Sequence, residues 1–409
     1  MSYLTFVLRE RKVLSFGLSF TFFSSFGQTF LISLFVPYFL TDFDLSNAAF
    51  GSIYSAATLA SASILPFLGK WIDVLPIGKY SLYVATGLLI AALTMAFSWH
   101  IGFLFAGILL LRLSGQGLSG HTAETAMARY FTLQRGKALS ISSLGYPIGE
   151  GILPVAIAAI LVITSWRTTW GIIAALIALV FIPFILYVLK QTDIEQSNQK
   201  FKRTDEDTDS DPATGSYFQI INNRNFWLIL PAILIPPFWA TALFLYQVSI
   251  AEQLGWTAAI IASAFIFFAV ARIFSSLGIG PVIDKLSAIK IFPFYILPFG
   301  AGVMVAYFHP GVWSAFLYMA LVGMTLGFGS TTKSALYAEL YGEDMIGTVR
   351  SFFAAIMVFS TALSPFLMGW MLDNHIAMES ILLMAATTVF FGVILALIGL
   401  RDTEPHTAH

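Results

Sequence analysis

Charged residues punctuate this chain at long intervals, and the stretches between them are almost wholly apolar. None occurs from Val13 to Thr41, from Leu45 to Gly69, from Thr168 to Leu189, from Asn225 to Ala251 or from Gln253 to Ala271. Ser351–Leu372 and Ser380–Leu400 are also uncharged. Two runs are too long for one crossing: Tyr80–Leu111 breaks at Trp99-His100, and Ile291–Thr332 breaks at His309-Pro310-Gly311. A helix needs about 20 apolar residues to cross a bilayer. With the stretch after Lys137, which carries Glu150, the pattern predicts twelve spans. They lie near 13–38, 48–69, 80–98, 101–128, 138–163, 168–190, 225–250, 257–280, 291–308, 312–340, 348–372 and 380–400. Barrel strands would be about 10 residues each with alternating polarity, so the expected fold is an all-α membrane protein. The first run is full length and lacks a small-residue cleavage site, so it is expected to be retained as a span.

Composition agrees. Of the 409 residues 58% are hydrophobic and 11% charged, against about 25% charged in a soluble domain. The expected partner is the lipid bilayer. A net charge of −1 excludes a nucleic-acid partner drawn by bulk charge. The absence of cysteine excludes disulfides, thiolate metal sites and cysteine nucleophiles. Lys and Arg in the short loops set orientation. With a cytoplasmic N-terminus, seventeen of the 21 fall on that face, only Arg167 falls on the other, and Arg112, Arg272 and Lys333 lie inside spans. Both termini are therefore expected in the cytoplasm. Between the sixth and seventh spans the acids Asp205, Glu206, Asp207, Asp209 and Asp211 cluster in a segment too polar to bury a core. It is expected to be a linker, dividing the chain into six-helix bundles at 1–190 and 225–409 joined by residues 191–224.

The two bundles repeat one another. A shift of 211 superposes Gly69 on Gly280, Asp73 on Asp284, Tyr130 on Tyr341, Gly136 on Gly347, Ser140 on Ser351 and Pro154 on Pro365. A shift of 212 pairs Gly115 and Gly117 with Gly327 and Gly329. A duplicated six-helix unit follows, with the two copies expected to be parallel.

The loop after the second span reads Gly69-Lys70-Trp71-Ile72-Asp73, and after the eighth Gly280-Pro281-Val282-Ile283-Asp284-Lys285. The fourth span carries Arg112-Leu-Ser-Gly115-Gln116-Gly117, and the fifth opens Tyr130-Phe131-x3-Arg135-Gly136-x-Ala138-x6-Gly145-x3-Gly149. In these motifs nearly the whole chain resembles the major facilitator superfamily, and the last two resemble its monocarboxylate-transporter and oxalate/formate-exchanger branch. The resemblance implies that spans one, four, seven and ten line a cavity. It also implies that Asp73 meets the start of the eleventh helix near Gly347–Arg350, and Asp284 the fifth near Arg135–Lys137, latching the outward-open state. Gly69, Asp73, Gly280, Asp284, Arg135 and Arg350 are thus the expected gating set. The chain departs from the family at several points. Val74 replaces the basic residue usual after the first Asp, Ser24-Ser25-Phe26-Gly27-Gln28 lacks the branch's acid and Trp, and Phe268 stands where the branch carries an Asp.

Cations in mid-membrane are costly, at least about 2.5–3.5 kcal/mol each. Arg272, Arg112 and Lys333 must therefore face water, a partner or a ligand, and they are the candidate ligands of an anion. The alternative for each is structural pairing, which suits Arg112 best. Gln28, Trp239, Tyr246 and Tyr337 are candidate wall residues, Trp239 and Tyr246 lying seven apart on one expected face. Each of these is equally a packing residue. Glu150 either neutralises a cation or carries a coupling proton. His121 titrates in the useful range, with a helix-packing role as its alternative. Glu124 and Glu339 lie nearer the span ends, where loop cations can pair with them.

Gly115-x-Gly117-x-x-Gly120 has the form of a dinucleotide loop, but no strand precedes it; close helix packing explains it better. Neither a Walker A loop, nor HExxH, nor GxSxG occurs. The expectation is therefore no enzyme and no cofactor, with a proton gradient as the driving force. The function expected is secondary transport of a small organic anion, a mono- or dicarboxylate, by alternating access and proton symport, in a monomer of the inner membrane. Efflux of amphipathic compounds by proton antiport is the alternative within transport, and a transport-inactive sensor or receptor the alternative outside it.

Overall fold

The computed structural model describes residues 3–131, 134–195, 222, 224–308, 311–341 and 346–401. Most of the expected linker therefore lies outside the described residues. Every regular element among them is helical. Among the described residues eleven helices are long and apolar enough to cross a membrane, and a bent pair, Arg11–Gly27 and Thr29–Asp42, makes a twelfth when counted as one span. Spans two to six are Asn47–Val74, Ile77–Ala96, Ile101–Tyr130, Arg135–Ile163 and Trp166–Gln191. Spans seven to twelve are Arg224–Leu245, Ala258–Leu286, Ala288–Phe308, Val312–Tyr341, Phe352–Asp373 and Met378–Leu400. Two compact units result, one of residues 1–45 and 53–210, the other of 46–52 and 211–409.

Within the first unit the first span, expected as one run near 13–38, is broken. Ser24–Gly27 tightens into a 3₁₀ turn, Gln28 is extended at φ −86° and ψ 150°, and the two halves meet at 46°. Hydroxyl groups prepare the break. Thr21 donates to the Ser142 carbonyl at 2.5 Å and Ser24 to the Thr21 carbonyl at 2.6 Å, competition that loosens a helix. The fourth span widens opposite it into a π-helical stretch, Leu111–Ser119. There the Ser119 hydroxyl donates to the Ser114 carbonyl, five residues back, at 2.7 Å, which satisfies a carbonyl the wide turn leaves behind. Gly115 and Gly27 face one another: a Cβ on Gly115 would lie 2.8 Å from the Gly27 Cα. At the far end of this unit Arg167 is clamped. It donates to Asp42 at 2.6 Å and to the Ser98 carbonyl at 2.9 and 3.1 Å, and lies 4.2 Å above the Trp166 ring.

The second unit is sewn along spans eight and ten by small residues. A side chain on Gly323 would strike the Phe268 carbonyl, one on Gly327 would lie 2.5 Å from the Arg272 carbonyl, and Thr331 donates to the Ser276 carbonyl at 3.3 Å. Its helix starts are capped by carboxylates that accept from N–H groups left unpaired by the helix. Glu339 accepts from the backbone of Ala288 at 2.7 Å and of Ile289 at 3.0 Å, and Asp373 from Asn47 at 2.9 Å and Ala48 at 2.8 Å. The seventh span ends at Leu245, five residues short of expectation, with Tyr246 outside helical geometry before Gln247–Gln253 resumes.

Candidate functional site

In the first unit the candidate chemistry gathers around the broken first span. Arg112 projects from the π-helical stretch and is 6% exposed. Its Nη1 donates to the Gly27 carbonyl at 3.3 Å and to Thr29 Oγ1 at 3.4 Å, one residue either side of Gln28. The guanidinium also lies 5.3 Å from the centre of the Tyr54 ring, and the Tyr54 hydroxyl shares a 2.8 Å hydrogen bond with Thr29. A helix break frees backbone carbonyls, and a charged donor satisfies one better than a neutral group can. Two buried donors here, Arg112 Nε and Ser25 Oγ, have no hydrogen-bond partner among the described residues. Glu150, near the middle of the fifth span and 7% exposed, follows Gly149, which packs directly on Ser25. Arg112, Gln28 and Glu150 are thus brought to one break.

His121 lies apart from them. Its Nε2 is 3.2 Å from the Gly69 carbonyl, tying the fourth span to the end of the second. Asp73, expected at a helix start, is ion-paired inside its own unit with Arg129, whose Nη1 also donates to the Ile72 carbonyl at 3.2 Å. Arg135 donates through Nε to the Ala128 carbonyl at 3.1 Å.

In the second unit Arg272 sits at the centre of the eighth span, fourteen residues from each end, its carbonyl against Gly327. Lys333 belongs to a different face of the tenth span. Residues 331 and 333 are about 200° apart around a helix. The stripe Gly329–Lys333–Tyr337 meets Tyr295, whose ring passes Gly329, and Phe353, which stacks on Tyr337 at 4.7 Å. Tyr295 is held in turn by a 2.7 Å bond to the Ala232 carbonyl. Among the described residues Lys333 has no hydrogen bond or ion pair, while Arg112 has both a carbonyl and a ring. The two cations therefore stand in opposite electrostatic situations. Gly280 faces open space, and Asp284 and Arg350 are exposed.

Trp239 and Tyr246 do not share a face. The Trp239 indole donates to Thr388 of the twelfth span at 2.9 Å, whereas the Tyr246 hydroxyl donates to the carbonyls of Asn47 at 2.7 Å and Pro365 at 3.2 Å. Sequence reasoning missed Thr29 and Tyr54, which complete the Arg112 cluster. It also missed Tyr295, which walls Lys333. Thr29, one residue past Gln28, carried a usable signal in its position; Tyr54 and Tyr295 carried none.

Apolar crossings that carry Arg112, Glu150 and Arg272 near their middles define a polytopic membrane protein. The chain belongs to the Major Facilitator Superfamily, whose profile matches residues 18–248 and 237–409. No curated protein matches the sequence. Among solved structures it is similar to a bacterial homologue of the human lysosomal transporter Spinster, inward-facing and occupied (14% identity, 98% of each chain covered, TM-score 0.68). It is also similar to the nucleoside transporter NupG (16% identity, 96% of this chain and 98% of that one, TM-score 0.70). At these identities the likeness is one of fold.

Proposed function

We propose that the protein is a secondary transporter of a small organic anion, a mono- or dicarboxylate, moved by alternating access and coupled to protons. The observation that carries this reading is Lys333, a cation inside a membrane span with no protein partner among the described residues. Such a charge costs several kcal/mol unless a counter-charge reaches it, and a carboxylate substrate supplies one. Tyr337 and Tyr295 offer aromatic walls to the organic part. Arg272 is a second anion ligand; Arg112 is a positioning residue that holds the first span's break open beside Gln28. Glu150 is the proton-coupling acid, placed next to the same break, and His121 packs helices.

In this reading both termini are cytoplasmic, as the Lys and Arg distribution favours, the membrane is the inner membrane, and one chain is the working unit. The fourth- and fifth-span motifs resemble those of the monocarboxylate and oxalate/formate branch. Asp73 and Asp284 with their glycines, together with Arg135 and Arg350, form the gating set.

Reconstituted liposomes test the proposal: a pH gradient drives accumulation of a labelled monocarboxylate or dicarboxylate. Lys333→Gln removes that flux and Lys333→Arg keeps part of it. Full accumulation by Lys333→Gln overturns the assignment. A second reading, efflux of amphipathic compounds, is favoured by an apolar cavity of about 620 Å³ between spans seven, eleven and twelve, lined by Trp239, Phe238, Trp370 and Met384. Gradient-driven extrusion of a lipophilic cation, with no organic acid accumulated, selects it.

A further inference from the structure

The first unit holds a second polar feature outside the transport site. A cavity of about 720 Å³ opens where three spans end on one side: the first at Arg11, the fourth at Tyr130 and the sixth at Gln191. Four cations line it, Arg9, Arg11, Lys12 and Lys190, against two acids, Glu10 and Asp193. Glu10 is taken up by Arg9 at 3.1 Å, and Asp193 accepts from the neutral Tyr130 hydroxyl at 2.8 Å. Lys12 donates to the Gln191 amide oxygen at 3.2 Å, which leaves its charge uncompensated. The lining therefore carries an excess of two positive charges at the depth where spans leave the hydrocarbon.

A short helix, Tyr3–Arg9, frames the opening. Phe6 is buried edge-on against Phe131 at 5.2 Å, which turns Leu8 outward at 61% exposure beside Arg9. An apolar residue and a ring of cations at the end of a span match an acyl chain below a phosphate. We propose that this cavity binds the phosphate headgroup of an anionic membrane phospholipid, with Arg11, Lys12 and Lys190 contacting the phosphate and Leu8 the acyl chain. A soluble phosphate presents the same anion but has no use for Leu8 or for a site at the span ends. The inference is independent of the transported substrate.

The test is native mass spectrometry and thermal unfolding of the full chain in detergent, titrated with phosphatidylglycerol, phosphatidylcholine or inorganic phosphate. Phosphatidylglycerol is expected to remain bound and raise the unfolding midpoint, while phosphatidylcholine and inorganic phosphate do neither. Each surface cation near a membrane contributes about fivefold in affinity, so Arg11→Gln with Lys190→Gln weakens phosphatidylglycerol binding by at least about tenfold. Lys290→Gln, an exposed cation remote in sequence from the cavity, leaves it unchanged. Both cavity residues are exposed, so the double variant keeps the wild-type midpoint in phosphatidylcholine, which controls for folding. Unchanged phosphatidylglycerol binding by the double variant overturns the site, and displacement of the lipid by millimolar inorganic phosphate overturns its assignment to lipid.

Discussion

The guanidinium of Arg112 donates to the carbonyl oxygen of Gly27 at 3.3 Å, and that bond joins the two irregular segments of the first unit. One segment is the break in the first span, the other the π-helical stretch of the fourth. A charged donor on a buried carbonyl contributes about 1.5–3 kcal/mol. Arg112→Met is therefore expected to lower stability by that amount in denaturant titrations. Arg112→Lys keeps one donor and loses the planar fork, so it falls between the two. Wild-type stability in Arg112→Met would show that the bond contributes nothing.

The same junction depends on the absence of a side chain at Gly27. A Cβ there would collide with the Leu111 carbonyl and lie 2.6 Å from the Gln116 nitrogen, both backbone atoms that cannot rotate aside. Gly27→Ala should cost about 3 kcal/mol or more, in the range of severe overpacking, and reduce the yield of monodisperse protein. At Gly171, in the sixth span, an added Cβ would meet nothing within 4 Å. Gly171→Ala should be neutral or add up to about 1 kcal/mol through helix propensity. Equal behaviour of the two variants would rule out the close approach.

The ninth span begins at a carboxylate that adds to an ordinary serine cap, Ser287 Oγ accepting from the Ile289 N–H at 3.3 Å. Ser287, at φ 74°, donates to Glu339 at 2.5 Å, and the same carboxylate takes the next two backbone N–H groups. Glu339→Ala leaves the Ser287 hydroxyl and the Ala288 N–H without their acceptor, Ile289 keeping only the longer bond to Ser287 Oγ, and should destabilise by about 1–3 kcal/mol. Glu339→Gln retains a neutral oxygen and should recover part of the loss. Hydrogen exchange at Ala288 and Ile289 reads the effect locally: faster exchange in both variants is expected, and unchanged protection in Glu339→Ala refutes the cap.

Span positions were legible in the sequence because charge is expensive in lipid, so Lys70, Lys79, Arg135 and Lys190 mark where helices leave it. The depth of Arg112, Glu150, Arg272 and Lys333 was legible for the same reason. Rotation about each axis was not. The tenth span carries its polar residues, Ser330 to Ser334 among them, on every side, and without an amphipathic stripe nothing along the chain says that Lys333 faces Tyr295 while Gly327 faces Arg272. Nor was the break at Gln28 legible, since part of its cause, the backbone of Gly115, lies far along the chain. The Trp239–Tyr246 spacing misled because helical periodicity was extended one residue past the helix end at Leu245.

Asp73 pairs with Arg129 inside the first unit, and its side chain remains 60% exposed. The repeat does not preserve this pair: Leu340 stands where the 211-residue shift would place a second Arg129. An exposed pair is worth about 0–1 kcal/mol and weakens with salt. Asp73→Asn should therefore change stability by less than about 1 kcal/mol, with the difference vanishing at about 1 M salt, where the screening length falls to about 3 Å. If transport nevertheless falls tenfold or more, the loss belongs to gating and not to folding. Retained transport removes Asp73 from the gating set.

Lys333 and Arg112 are both cations inside spans, and their substitutions should move stability in opposite directions. Arg112 donates through Nη1 to Gly27 and Thr29 and lies beside the Tyr54 ring, so removing it leaves unmet acceptors. Lys333 has no such partner among the described residues, so Lys333→Met deletes an uncompensated charge and should stabilise the apo protein by about 2–3 kcal/mol. The same substitution removes the counter-charge for the substrate and should abolish organic-anion flux. It should also eliminate the stabilisation that a bound anion confers, which is about 2.7 kcal/mol at a concentration of 100 times Kd. Denaturant titrations of both Met variants with and without the transported acid give all four quantities. A Lys333→Met protein that is less stable than wild type would show that the lysine is structurally paired, and the anion site would then have to be sought at Arg272.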